Sequence, residues 1–137
     1  MRKKKKLTLM IPLEPVEYSL GQNRNRIFAH HKKDKLFVKD RLQAALPDGY
    51  IPLTGPIGIS VKFFLSPRTA VFSGCRETGD FFTEAPDLSN LVKFIEDVMT
   101  DLVYRDDRQI VRYIEPFTKE YDKENPRTEV TVYELSK

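Results

Sequence analysis

Hydrophobic residues follow their clearest pattern between residues 86 and 107, where they predict an amphipathic helix. The apolar positions recur every three or four residues, which is the repeat of one helix face, at Leu91, Phe94, Ile95, Val98, Met99 and Leu102. Asp87 lies just before this helix, and Asp106 and Asp107 lie just after it. Because such a helix is roughly 20 Å long, the two acidic groups can meet only if the following chain folds back along it.

Alternating apolar residues predict four strands, at residues 7–11, 57–65, 109–117 and 128–135. A partial apolar face predicts one more helix at residues 34–46, and residues 16–31 are expected to be irregular. Phe64 interrupts the polar face of the second strand, which is therefore expected to be covered on both sides or to lie at a dimer contact. The order of elements predicts an α/β (α+β) fold in which two main helices pack on a mixed sheet.

Residues 66–86 show no periodicity and are predicted to form a long loop. The loop leads directly into Asp87, so it is expected to be a mobile rim of an active site. The alternative is a surface insertion without a role. Phe81 and Phe82 favour the first interpretation, because exposed aromatic side chains usually pack or stack against something.

Composition indicates one globular domain spanning residues 1–137, with 40% hydrophobic and 31% charged residues. Basic residues are concentrated in the first third of the chain, beginning with a basic arm at residues 1–6. Lys3, Lys4 and Lys5 of this arm are candidate phosphate contacts, and a solvated tail is the equal alternative. The single Cys75 excludes an internal disulfide. Without a signal peptide or an apolar run of roughly 20 residues, the protein is expected to be cytoplasmic and away from membranes.

A signature surrounds the central helix. It reads Asp-Leu-Ser-Asn-Leu-Val-Lys at residues 87–93 and Asp-Asp-Arg-Gln-Ile at residues 106–110, with Asp97 between them. This pattern resembles the core of RusA-type Holliday-junction resolvases, and weaker similarity extends to residues 11–16 and 119–130. The resemblance implies a RusA-like fold and a homodimer. It also implies an endonuclease that cuts four-way DNA junctions with Mg²⁺, or with Mn²⁺ as a substitute.

The resemblance assigns the acidic residues to metal binding. Asp87 and Asp107 match two of the family's three catalytic aspartates, and Asp106 is a neighbour that orients the site or shares in the metal. Carboxylates suit this role because Mg²⁺ is a hard cation that prefers oxygen ligands. Taken singly, Asp87 reads more simply as a helix cap and the Asp106-Asp107 pair as a polar turn. Their joint occurrence with Asn90, Lys93 and Gln109 favours the catalytic interpretation.

The same resemblance assigns the DNA contacts. Lys93 matches a lysine that the family needs for cleavage, where it would hold the scissile phosphate or stabilise its developing charge. Its simpler alternative is a surface ion pair with Asp97, one turn further along. Asn90 is a candidate for orienting the loop or contacting DNA. Lys119 is a candidate phosphate contact, with a solvated loop lysine as the equal alternative.

Ser89 departs from the family pattern, because it stands where the family has its second aspartate. The site then uses one metal with fewer carboxylates, recruits another acid such as Glu84 or Asp97, or binds junctions without cutting them well. The predicted function is therefore a magnesium-dependent endonuclease that resolves Holliday junctions or other branched DNA in recombination and repair. The alternatives are a noncatalytic branched-DNA-binding protein and a structural partner of a replication or recombination complex.

Overall fold

The computed structural model describes residues 6–15, 24–66, 77–83 and 86–135, and for residues 24–34 it describes the backbone alone. The elements in chain order are β1 (Lys6–Ile11), α1 (Arg24–Ala45), β2 (Ile57–Leu65), α2 (Leu88–Met99), β3 (Ile110–Tyr121) and β4 (Arg127–Glu134). A short 3-10 helix, Asp107–Gln109, precedes β3. The predicted α+β class is confirmed.

The four strands form one mixed sheet in the order β1-β4-β2-β3. β4 pairs antiparallel with both β1 and β2, whereas β2 and β3 are parallel. A parallel pair needs a crossover connection, and α2 lies in the connection between these two strands. The predicted cover on both sides of β2 is confirmed. Phe64 is 5% exposed, and the guanidinium carbon of Arg127 lies 3.7 Å from the centroid of its ring.

The core lies where α2 packs against one face of the sheet. The predicted apolar stripe of α2 is buried as far as Met99, while Leu102 lies beyond the end of the helix and packs at the margin of the core. The sheet contributes the inward residues of its strands, Leu9, Ile11, Ile57, Ile59, Val61, Phe63, Leu65, Val130 and Val132. The core thus fixes the rotation of α2, and with it the direction of the polar residues on its outer face.

Two predicted boundaries are wrong. α1 begins at Arg24 rather than at residue 34, so the expectation of irregular structure fails from that point on. Residues 24–33 are mostly polar and basic, and they carry no apolar repeat from which a helix could be predicted. β3 continues to Tyr121, beyond the predicted end at residue 117. No helix within the described ranges is long and apolar enough to span a membrane.

The predicted long loop is partly ordered against β3. The N–H of Gly79 donates to the oxygen of Tyr121 at 2.9 Å, and the N–H of Phe82 donates to the oxygen of Lys119 at the same distance. Phe81 is 72% exposed, whereas Phe82 is 2% exposed and belongs to the core. The remaining loop residues, 67–76 and 84–85, lie outside the described part of the chain.

Candidate active site

The turn that carries Asp106 and Asp107 is fastened by the side chain of Gln109. The Gln109 amide oxygen accepts hydrogen bonds from the N–H groups of Arg105 and Asp106, both at 2.8 Å. Its NH₂ group donates to the carbonyl oxygens of Leu53 and Gly55, both at 2.9 Å. A glutamine amide has two donor and two acceptor positions. All of them are used here, so this one side chain ties the acidic turn to residues 53–55.

The Asp106 carboxylate is engaged with Arg108. Its Oδ1 accepts from the Arg108 N–H at 2.8 Å and so caps the 3-10 helix. The Arg108 guanidinium lies 2.9 Å from its Oδ2. These hydrogen bonds from Arg108 lower the pKa of Asp106 to about 2. A carboxylate committed to an arginine and a backbone N–H is suited to orienting the turn, which is one of the two roles considered for it.

Asp107 follows in the turn and is exposed, and its charge acts on Glu96 of α2. Glu96 Oε2 accepts a hydrogen bond from the Tyr113 hydroxyl at 2.5 Å. Burial raises the pKa of Glu96, the Tyr113 hydrogen bond opposes that change, and the charge of Asp107 adds to it. Burial, and then the contact with Glu96, raise the pKa of Tyr113 to about 12. Glu96 is thus a second carboxylate within electrostatic range of Asp107.

Sequence reasoning missed Glu96, because the helical pattern places it only on the polar face of the helix. Its position beside Asp107 depends on how the chain reverses after α2. Tyr104, fully buried in that reversal, donates its hydroxyl to the backbone oxygen of Glu96 at 2.6 Å. The burial of Tyr104 and its bond to Glu96 appear only in the folded chain, so the sequence carries no signal for this arrangement.

Asp87 lies at the other end of α2. Its backbone oxygen accepts from the Leu91 N–H at 3.1 Å, which begins the helix. Its side chain makes no capping hydrogen bond, so the carboxylate is not used as a helix cap and faces solvent. Just before it, the Pro86 carbonyl oxygen accepts from Lys119 Nζ at 2.7 Å. Lys119 lies within β3 rather than in a hairpin loop.

The remaining predicted residues are distributed over the same helix and beyond it. Lys93 and Ser89 are exposed, and Asn90 is half-buried. Asp97 forms an ion pair with Lys35 of α1 at 2.7 Å, so one of the acids proposed to replace the missing aspartate is engaged elsewhere. Four predicted residues lie outside the described part of the chain: Lys3, Lys4, Lys5 and Glu84.

The length of α2 separates Asp87 from Asp107. Eight residues lie between Asp87 and Glu96, the residue of α2 that senses the charge of Asp107, and the rise along the helix from Asp87 to Glu96 is roughly 13 Å. The sheet gives a similar separation. Lys119, at the Asp87 end, pairs with Phe63, and Ile110, just after Asp107, pairs with Ile57, which corresponds to roughly 20 Å along β2. The chain does fold back along α2 as β3, but the residue that it brings to the Asp87 end is Lys119 and not Asp107.

These groups suit a hard cation without forming a complete set of ligands. Asp107 and Glu96 offer carboxylate oxygens at one end of α2, and Asp87 offers another at the opposite end. Mg²⁺ is commonly held by one or two carboxylates together with substrate phosphates and water, so the donor chemistry fits it. Among the residues that the structure describes, no three acidic, histidine or cysteine side chains are grouped closely enough to hold a metal ion.

Comparison with known proteins assigns most of the chain to a family. Residues 20–133 match the family model of the endodeoxyribonuclease RusA. The chain is also 31% identical over 90 residues to the uncharacterized protein YqaN of Bacillus subtilis (strain 168), an alignment that covers 61% of each chain. The chain thus spans 61% of the length of this relative. The family match includes Asp87, Lys93 and Asp107, and it confirms the resemblance found in the sequence. This protein belongs to the RusA endodeoxyribonuclease family.

Proposed function

We propose that this protein is a magnesium-dependent endonuclease that resolves Holliday junctions or other branched DNA in recombination and repair. The observation that carries the proposal is the family match, which spans residues 20–133 and therefore the positions of Asp87 and Asp107 at the two ends of α2. The contacts around these groups support it. Gln109 fastens the Asp107 turn to residues 53–55, and the Asp87 carboxylate is left free of helix capping.

In this proposal Asp87 and Asp107 hold the metal, and Glu96 is a further oxygen donor beside Asp107. When bound, Mg²⁺ supplies charge neutralisation at the phosphate and a more acidic water. Asp106, paired with Arg108, orients the turn. Lys93, exposed on α2 six residues beyond Asp87, binds the scissile phosphate and stabilises negative charge that develops on it.

The separation of Asp87 from Asp107 within one chain supports a homodimer in which two copies share each site. A metal requires its ligand oxygens within about 4 Å of one another, which is far less than the length of α2. A twofold axis that places Asp87 of one copy beside Asp107 of the second copy creates the same pairing twice. Two equivalent sites are what symmetric cleavage of a four-way junction requires.

DNA affinity in this proposal comes mainly from phosphate contacts. Lys3, Lys4 and Lys5 supply positive charge from the arm, and Asn90 and Lys93 contact the strand near the cut. Neutralising phosphates releases counterions, so affinity should fall steeply with salt concentration. The shape of the junction, rather than an extended base sequence, is then the main feature recognised.

The test is cleavage of a synthetic four-way junction with Mg²⁺, with Mn²⁺ or with a chelator. We expect paired cuts with either metal and none with the chelator, and a linear duplex of the same sequence should remain intact. Asp107→Asn should still bind the junction but leave it uncut, because neutralising an acid removes a metal ligand and reduces repulsion of phosphate.

A second candidate, a noncatalytic protein that binds branched DNA, is favoured by Ser89. A serine hydroxyl is neutral and is a weaker ligand for Mg²⁺ than a carboxylate. If the natural protein and Ser89→Asp both bind junctions and neither cuts them with Mg²⁺ or Mn²⁺, the binding function replaces the nuclease.

A further inference from the structure

We propose that Lys119 is a positioning residue that holds the Pro86–Asp87 peptide in place and thereby aims the Asp87 carboxylate. The inference rests on the proposed nuclease function, in which Asp87 is a metal ligand. It gives Lys119 a different role from the phosphate contact expected from sequence.

Lys119 forms hydrogen bonds with two residues that precede α2, Phe82 and Pro86. Its backbone oxygen accepts from the Phe82 N–H at 2.9 Å, and its Nζ donates to the Pro86 oxygen at 2.7 Å. The same ammonium lies 6.0 Å from the centroid of the Phe82 ring, which is within the range of a cation–π contact. One residue of β3 therefore contacts Phe82, which is bonded to the sheet, and Pro86, which lies just before α2.

Lys119 is itself held within the sheet and beside buried residues. Lys119 pairs with Phe63 of β2 in the parallel ladder, and Phe63 is 1% exposed. Phe82 is 2% exposed, and Pro86 is also buried. A half-buried ammonium held between a carbonyl oxygen and an aromatic ring has exchanged much of its water for protein contacts. Turning it towards a phosphate would give up these contacts.

The hydrogen bond acts on Asp87 through the peptide that joins it to Pro86. A bond to the Pro86 oxygen sets the plane of that peptide, because the peptide group is planar. Asp87 then leaves in the extended conformation, with φ −67° and ψ 140°, and its own oxygen begins α2 through the Leu91 N–H. Since the Asp87 side chain has no capping bond of its own, its direction depends on this backbone.

The test measures cleavage and binding separately on a four-way junction in Mg²⁺. Lys119→Met keeps the aliphatic stem on Phe82 and removes the donor, and we expect single-turnover cleavage of bound DNA to fall about 10- to 100-fold, as for a misplacement of about 1 Å. The slope of log affinity against log salt should be unchanged. Lys123→Met, which removes an exposed lysine of the β3–β4 turn, is the matched control and should leave the cleavage rate unchanged.

A phosphate contact gives the opposite result. Lys119→Met would then reduce the salt slope by about one unit while bound junctions are cut at the natural rate, and this outcome overturns the proposal. Lys119→Arg provides a second variant if the methionine protein does not fold. It keeps the charge but changes the reach of the donor, so cleavage should fall while affinity and salt slope are retained. Cleavage at the natural rate in Lys119→Arg also overturns the proposal.

Hydrogen exchange separates failure of this proposal from failure of the nuclease assignment. The Leu91 amide, which is bonded to the Asp87 oxygen, should exchange at least about 10-fold faster in Lys119→Met than in Lys123→Met, because the first turn of α2 opens more readily. If the natural protein cuts no junction, the proposed function fails, and this exchange rate still decides whether Lys119 holds the Asp87 segment. Equal exchange in the two variants overturns the positioning role.

Discussion

Replacing Gln109 should loosen the turn that carries Asp107. In Gln109→Met the side chain keeps a similar length but no longer donates to two carbonyl oxygens or accepts from two N–H groups. Each hydrogen bond contributes about 1 kcal/mol net. Solvent reaches Arg105, and Leu53 keeps a second donor in the Arg105 N–H at 3.2 Å. The expected loss in the free energy of unfolding is therefore about 2–3 kcal/mol rather than the full sum.

Chemical or thermal unfolding followed by circular dichroism measures this loss. For a chain of this size, 1 kcal/mol corresponds to about 3–5 °C in Tm, so Gln109→Met should melt about 6–15 °C below the natural protein. Gln43→Met is the matched control. Gln43 is exposed on α1, and a surface change of this kind should stay within about 0.5 kcal/mol.

Gln109→Glu tests the direction of the hydrogen bonds. It has nearly the same size and keeps an acceptor for Arg105 and Asp106, but at neutral pH it presents a carboxylate oxygen to the carbonyls of Leu53 and Gly55. It should therefore be at least as destabilised as Gln109→Met at pH 7. Junction cleavage should fall about 10- to 100-fold in both variants, because the Asp107 turn loses its fixed position. Natural stability and cleavage in Gln109→Glu at pH 7 would refute the reasoning.

Three further changes alter the charge of the chain, at Glu96, in the basic arm and at Ser89. The pKa of Glu96 is raised in the folded state, so ionisation of this carboxyl lowers the free energy of unfolding. This loss of stability is absent below pH ~4, where the group is protonated in both states. It grows as pH rises through the folded pKa. Glu96→Gln should therefore raise the urea midpoint at pH 7 but not at pH 4, and the reverse order would contradict this. Deleting residues 2–5, which spares Lys6 of β1, should reduce the salt slope of junction binding by roughly one unit for each phosphate that the arm neutralises; an unchanged slope would make the arm a solubility tail. Ser89→Asp should raise Mn²⁺ affinity, measured by calorimetry, and increase cleavage. If Ser89→Asp changes neither affinity nor cleavage and Glu84→Gln is inactive, Glu84 is the missing acid.

The sequence predicts α2 well because burial of one apolar face determines this helix. Its apolar residues keep a helical repeat over the whole helix and are buried as expected. The strand at Ile57–Leu65 is equally predictable, because alternation of apolar residues directs one face to the core. α1 carries no comparable signal in residues 24–33, so its first half could not be predicted.

The candidate site could be predicted as a set of residues but not as an arrangement. The motif predicts Asp87, Asp107 and Gln109 as site residues, and the family match spans their positions. Their neighbours depend on the register between β2 and β3, which places Lys119 beside Phe63 and so carries it to Pro86. Register is a property of the assembled sheet, and no local pattern in β3 specifies it. Glu96 likewise gives no signal as a partner of Asp107, because that relation depends on how the chain reverses after α2.

The proposed shared site predicts a result that a site within one chain does not. Asp87→Asn and Asp107→Asn should each be unable to cut a four-way junction in Mg²⁺. If two copies share each site, a mixed dimer of these variants has one site that lacks both acids and one that retains both. With random pairing, half of the dimers are mixed, so about one quarter of the sites are intact.

Cleavage by the two variants produced together is therefore the most direct test of a site shared between two copies. We expect the coexpressed mixture to cut junctions at about one quarter of the natural rate, with a cut in only one of the two symmetric strands by each mixed dimer. An inactive mixture, under conditions in which the natural protein cuts and mixed dimers are isolated by two different affinity tags, would contradict it. Every site would then lack one acid, as it must if Asp87 and Asp107 act within the same chain.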